Sequence, residues 1–127
     1  MKASYPLILI LLLAVSLTLH AQPAEKPTQA IQTMAKVLMS LNHFPSATEK
    51  ELLRKIRSNS NTTPAEADIA QALINLQHSA SRHDKTKLLD IINDKSQSVH
   101  ARTLARIIRD LNHKPSAEDK LELSSLD

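Results

Sequence analysis

Leu41-Asn42-His43-Phe44-Pro45-Ser46 returns twice in this 127-residue chain. At 35 residues further on stands Leu76-Gln77-His78-Ser79-Ala80-Ser81, and another 35 on stands Leu111-Asn112-His113-Lys114-Pro115-Ser116. The register extends outward without a gap. Upstream, Met34, Ile69 and Leu104 fall in step, as do Ala35, Ala70 and Ala105, then Leu38, Leu73 and Ile108. Downstream come Glu49, Asp84 and Asp119, then Lys50, Lys85 and Lys120, then Leu53, Leu88 and Leu123. Self-similarity at a period of about 20–50 residues marks stacked supersecondary units.

Each unit reads as two helices. Met34, Leu38 and Leu41 share one helical face. That helix must stop near His43, because Pro45 disfavours helical dihedrals at the residue before it. Ser46 then serves as an N-cap with Glu49 three residues on, the pattern of a capping box. Ser81 with Asp84 and Ser116 with Asp119 repeat it, with an acid that reaches back less far but still suits a positive helix start. The short link makes the two helices antiparallel neighbours. Three alanines at one register point to a close helix–helix approach.

Around this core the chain divides simply. Residues 1–21 read as a signal peptide: Lys2, then an uncharged apolar stretch from Leu7 to Leu19, then a cleavage site near Ala21. The apolar stretch is short for a membrane span, which needs about 20 residues. Membrane contact is therefore expected only through the signal before cleavage. Residues 22–27 form a linker. Residues 28–127 form the helical repeat domain, with units at about 28–61, 62–96 and 97–127. The predicted helices run from Pro27 or Thr28 to about Asn42, Ala47 to Ser58, Pro64 to about Gln77, Arg82 to Asn93, Val99 to about Asn112, and Ala117 to near the end. Nothing alternates at period two, so no strands are expected. The fold class is all-α: three tandem helix-hairpin units, six helices, forming a short solenoid or a compact bundle. In length the unit is similar to tetratricopeptide and pentatricopeptide repeats. The Trp, Gly and Tyr of the tetratricopeptide pattern are missing, so the likeness is one of architecture alone.

Composition removes many functions. The chain has no glycine, hence no phosphate-cradling loop, dinucleotide fingerprint or nucleophile elbow. Helix ends must close with Asn or His, which tolerate left-handed dihedrals better than most residues. With no cysteine there are no disulfides or thiolate metal sites. This suits export into an oxidising compartment, and points to a bacterial periplasmic or secreted protein. Loss of Lys2 with the signal leaves 15 basic against 13 acidic residues, a mild balance with no charge run. Phe44 is the one aromatic after the signal, so no stacking platform exists for nucleic acid. Phe44 does not repeat, and reads as a plug in a local gap or else as an exposed contact, the first being preferred.

Two groups could carry function. The first is the in-step set His43, His78 and His113. At a helix end a histidine can bond free carbonyls and meets the negative end of the dipole, a structural role. The functional role is a ladder for zinc, copper or nickel. Neighbouring stacked helices lie about 8–10 Å apart, while zinc needs nitrogens within about 2.1 Å. The metal reading therefore requires rings that converge within one coordination sphere. His83, just past His78 across the same hinge, adds a local pair. The candidate ligands are His43, His78, His83 and His113. A Ser-His-Asp hydrolase could be drawn from Ser81, His78 and Asp84. The serine belongs to a cap, however, and the arrangement occurs three times, so no enzyme is expected.

The second group is the polar ladder Lys36, Gln71 and Arg106 with nearby Arg102 and Arg109, a surface for an acidic segment of another protein. The leading expectation is an exported, non-enzymatic interaction module or small scaffold with no cofactor. The alternative is a histidine-based metal-binding or metal-buffering protein, with a divalent transition metal as its cofactor.

Overall fold

The computed structural model describes residues 24–127, and the expected signal peptide lies outside the described residues. These residues form six helices: α1 (Gln29–Ser40), α2 (Ala47–Ser58), α3 (Pro64–Asn75), α4 (Arg82–Asn93), α5 (Val99–Asp110) and α6 (Ala117–Ser124). Among the described residues there is no strand, and two isolated bridges, Gln77 with Ser79 and Asn112 with Lys114, mark tight hinges. None of these helices is long and apolar enough to cross a membrane.

The helix starts follow their capping residues. Thr28, Ser46, Thr63, Ser81, Ser98 and Ser116 each accept a bond from the amide three residues on, satisfying a donor that the first turn leaves free. Glu49, Glu66 and Asp119 complete reciprocal capping boxes. Asp84 does not reach its cap's amide. It is buried, and accepts instead from the Ser81 hydroxyl at 2.7 Å and the Asn75 amide at 3.3 Å.

Three helices end two residues earlier than the sequence suggests. Leu41, Leu76 and Leu111 are C-caps with extended ψ near 130°. Each still donates its amide to the carbonyl three residues back, and each side chain is buried. The leucine keeps the apolar face while its backbone has already left the helix.

Most of the core comes from α1, α3 and α5. Met34, Leu38, Ile69, Leu73, Leu104 and Ile108 are fully buried, as are Ala35, Ala70 and Ala105. These three helices contact one another, and the small alanines leave room for that approach. The other helices cover the outside, each with few buried residues: Leu53 on α2, Leu88 and Ile91 on α4, Leu123 on α6. Helix α2 packs mainly on α3, and α4 on α5. Helix α6 packs on α1, so the last helix returns to the first. A buried Leu or Ile stabilises by about 1.5–3 kcal/mol relative to exposure. The ion pairs between chain regions are partly or largely exposed, and such pairs are worth at most about 1 kcal/mol. Apolar layering therefore decides the fold.

Candidate functional site

The three hinges after α1, α3 and α5 meet at one pole. The backbone amide of His78 donates to the carbonyl of His43 at 3.2 Å, and that of His113 to the carbonyl of His78 at 2.6 Å. Hinge is thus bonded to hinge across long sequence separations. The rings follow the backbone. His43 and His78 have centroids 5.2 Å apart, His43 and His113 5.5 Å, and His78 and His113 4.9 Å. The first two pairs stand edge to face and the third is tilted. All three residues are exposed. The separation is well below the helix spacing that the sequence implies, because the links lean together over the ends of the inner helices.

His78 and His113 have φ of 61° and 68°. This left-handed region costs an L-residue roughly 1–2 kcal/mol, and His enters it more readily than most. In a chain without glycine these two histidines do the turning. His43 is not left-handed, and nothing in the structure explains why the first hinge differs.

Charges of both signs meet at the pole. Helices α1, α3 and α5 bring their negative C-terminal ends to it. Helices α2, α4 and α6 begin there with positive ends, but Glu49, Asp84 and Asp119 sit in those first turns. Burial pushes the Glu49 carboxyl up. Hydrogen bonds from the Ser40 hydroxyl and from the amide and hydroxyl of Ser46 outweigh it, holding Glu49 below the ordinary range. His113 Nδ1 lies 2.7 Å from the Asn112 side-chain oxygen. His83 stands on the first turn of α4, exposed, and is absent from the ring contacts that join the other three. Among the described residues no three His, Asp or Glu side chains are arranged, as they stand, to hold a metal ion. The ring nitrogens would have to turn inward first.

The polar ladder is engaged within the chain. Lys36 pairs with Asp127 at 2.8 Å. Gln71 accepts from Arg57 and donates to Asn75. Arg106 bonds Asp119 at 3.3 Å and Glu122 at 2.8 Å. Burial draws the Arg106 guanidinium down, but Glu122 and then Asp119 outweigh it and hold it above its ordinary value. Arg109 is held up by hydrogen bonds to Asp110. Arg102 Nε is buried with no hydrogen-bond partner among the described residues.

Phe44 fills no gap: it is 56% exposed at the hinge rim, with the Lys50 ammonium 5.8 Å from its ring centre. Leu41, one turn earlier, has taken the interior position. Sequence reading missed Glu66. It is buried at the opposite pole, accepts from the Thr28 hydroxyl at 2.5 Å and the Thr63 amide at 3.0 Å, and ties the start of α1 to that of α3. Its capping pattern Thr63-x-x-Glu66 was the available signal.

No protein-family model, curated protein or solved structure matches this chain.

Proposed function

We propose that this chain is an exported, non-enzymatic bundle of three like hairpins, closed about an axis, that binds a divalent transition metal at its histidine pole. The observation that carries the reading is the triangle of rings, 4.9–5.5 Å on a side, drawn from three distant hinges. Around a tetrahedral ion with nitrogens at about 2.1 Å, three imidazole centres lie roughly 5 Å apart. The triangle has that size. Convergence would need rings to turn about their side-chain bonds, and all three stand exposed at the surface. Strain supports the same reading: left-handed non-glycine residues concentrate at functional positions, and the two such residues among those described are both histidines of this cluster.

Imidazole suits zinc, copper(II) and nickel(II), while calcium and magnesium prefer oxygen. Three nitrogens on the protein side leave the outer coordination position to water. Such a site captures and exchanges metal. Acid competes for the same lone pairs, so affinity falls as pH falls.

The test is a calorimetric titration of untagged protein from Gln22 with zinc, copper and nickel, beside the triple variant His43→Ala, His78→Ala, His113→Ala. Micromolar or tighter binding, lost in the variant, is expected. No heat with the unaltered chain would end the metal reading.

One observation favours the interaction module as the second reading. The short α6 leaves a groove of about 380 Å³ against α1, lined by Ala35, Lys36, Met39, Ser40, Leu123 and Ser124. Its floor is apolar and its rim carries Lys36. This would seat a partner segment with an apolar anchor and an acidic neighbour, which would displace Asp127 from Lys36.

A further inference from the structure

We infer that Asn112 is a positioning residue that sets the tautomer of His113, so that the cluster offers Nε2, and not Nδ1, to its metal. The inference rests on the metal reading above and deepens it. The side-chain oxygen of Asn112 faces His113 Nδ1 at 2.7 Å. An amide oxygen has no proton to give, so the nitrogen facing it must carry the N–H. In a neutral ring the remaining lone pair is then on Nε2, and only that atom can take a cation. Metal-binding histidines generally donate their other N–H to such an acceptor, which fixes the ring and raises its basicity.

The sequence repeats the device. Asn42 precedes His43, Gln77 precedes His78 and Asn112 precedes His113. All three amides are exposed, so none is there for core packing. Among helix-end residues a solvent-facing position tolerates almost any polar side chain, yet each unit carries a carboxamide beside its histidine. Asn112 holds the bond in the present arrangement. Asn42 and Gln77 occupy the equivalent positions beside His43 and His78.

The experiment reads the tautomer and the metal separately. Ring-nitrogen NMR on the metal-free protein, at a pH where the imidazoles are neutral, reports which nitrogen of His113 carries the proton. Zinc chloride titrations follow on the unaltered chain, Asn112→Ala and Asn112→Asp, with the same spectra showing which nitrogen becomes coordinated. The expected results are Nδ1–H in the unaltered chain and loss of that preference in Asn112→Ala. Zinc affinity should fall by about 10- to 100-fold in Asn112→Ala and be retained in Asn112→Asp, which keeps an acceptor. Nε2–H at His113 in the metal-free chain overturns the inference whether or not zinc binds. So does unchanged zinc affinity in Asn112→Ala, or coordination through Nδ1. Failure of the unaltered chain to bind zinc overturns the metal reading, and the inference with it, while the metal-free spectrum still shows whether Asn112 sets the tautomer.

Discussion

At the histidine pole the links between helices bond to one another, whereas at the opposite pole each link bonds to itself. The connection at 59–63 closes through Thr62 N to Asn59 O and Asn61 N to the Asn59 side chain. The connection at 94–98 closes in the same way, through Gln97 N to Asp94 O and Ser96 N to the Asp94 carboxylate. These are local polar turns in which an Asx side chain satisfies the backbone two residues on. Their turns close within the link, and among the described residues only Thr63, through Glu66 to Thr28, ties one of them to a distant part of the chain. The hinges at 41–46, 76–81 and 111–116 do the opposite. Each begins on a buried leucine, two run through left-handed histidines, and their amides reach the neighbouring hinge. A fold needs only the first kind of link. The second kind holds three particular side chains at one place.

The largest effect that would test this contrast is on stability. Leu76→Ala removes a fully buried anchor of the second hinge, and should cost about 2–5 kcal/mol by urea denaturation. Asn59→Ala, at the opposite pole, removes one exposed turn bond and should cost about 0.5–1.5 kcal/mol. Equal costs would mean that the two poles are alike in their dependence on the core. A metal should sharpen the contrast. At 100 times its Kd, zinc should add about 2.7 kcal/mol to the folded state. Hydrogen exchange should then slow in the three hinges while 59–63 and 94–98 keep their rates. Slowing spread evenly over both poles would place the metal elsewhere.

Much of this contrast was legible in the residues, and its missing part has a physical cause. The ends of α2 and α4 were plain, because Ser46 and Ser81 announce a cap and Asn59 and Asp94 open a polar turn. The ends of α1, α3 and α5 were read two residues late. Periodicity reports which side chains are buried, and Leu41, Leu76 and Leu111 are buried in step with their helices after the backbone has become extended. The period of 35 made the three histidines equivalent but gave no distance between them. That distance depends on how closely the inner helices approach, for which the buried alanines at 35, 70 and 105 were the only trace. The pairings within the polar ladder could not be read from the sequence, for a related reason. Lys36 is paired by Asp127, which the packing of α6 on α1 supplies, and Arg106 by Asp119 and Glu122 on α6 of its own hairpin.

Within the histidine pole itself the first hinge differs from the other two, and a smaller effect follows. His78→Gly relieves a left-handed residue, while glycine's greater freedom in the unfolded chain costs about 0.5–1 kcal/mol. Against a strain of roughly 1–2 kcal/mol, the variant should be neutral to more stable by about 1 kcal/mol. His43→Gly relieves nothing and should lose about 0.5–1 kcal/mol. A loss in thermal melts of metal-free His43→Gly with no loss in His78→Gly would fit the backbone angles. A loss of stability in both would show that the His78 ring, and not its backbone, holds the second hinge.

Acid gives the smallest effect, and it acts at both poles at once. Glu49 at the histidine pole is held below its ordinary range as described above. Asp94 at the other pole is held low by hydrogen bonds from the Ser96 hydroxyl, then from Gln97 and the Ser96 amide. Both are depressed carboxylates, so each binds its proton more weakly folded than unfolded. The stability they add is complete above the ordinary carboxylate value of about 4 and is lost as pH falls below it through the lowered folded values. Glu49→Gln and Asp94→Asn should each flatten the loss of stability between about pH 4 and pH 2 and leave the neutral-pH slope unchanged. Because Asp94 is fully in solvent and serves only its own turn, its variant should flatten the curve less than Glu49→Gln, whose carboxylate joins the end of α1 to the start of α2. A larger effect at Asp94 would reverse the ranking of the two poles, and would mark the local turn as the more dependent on its charge.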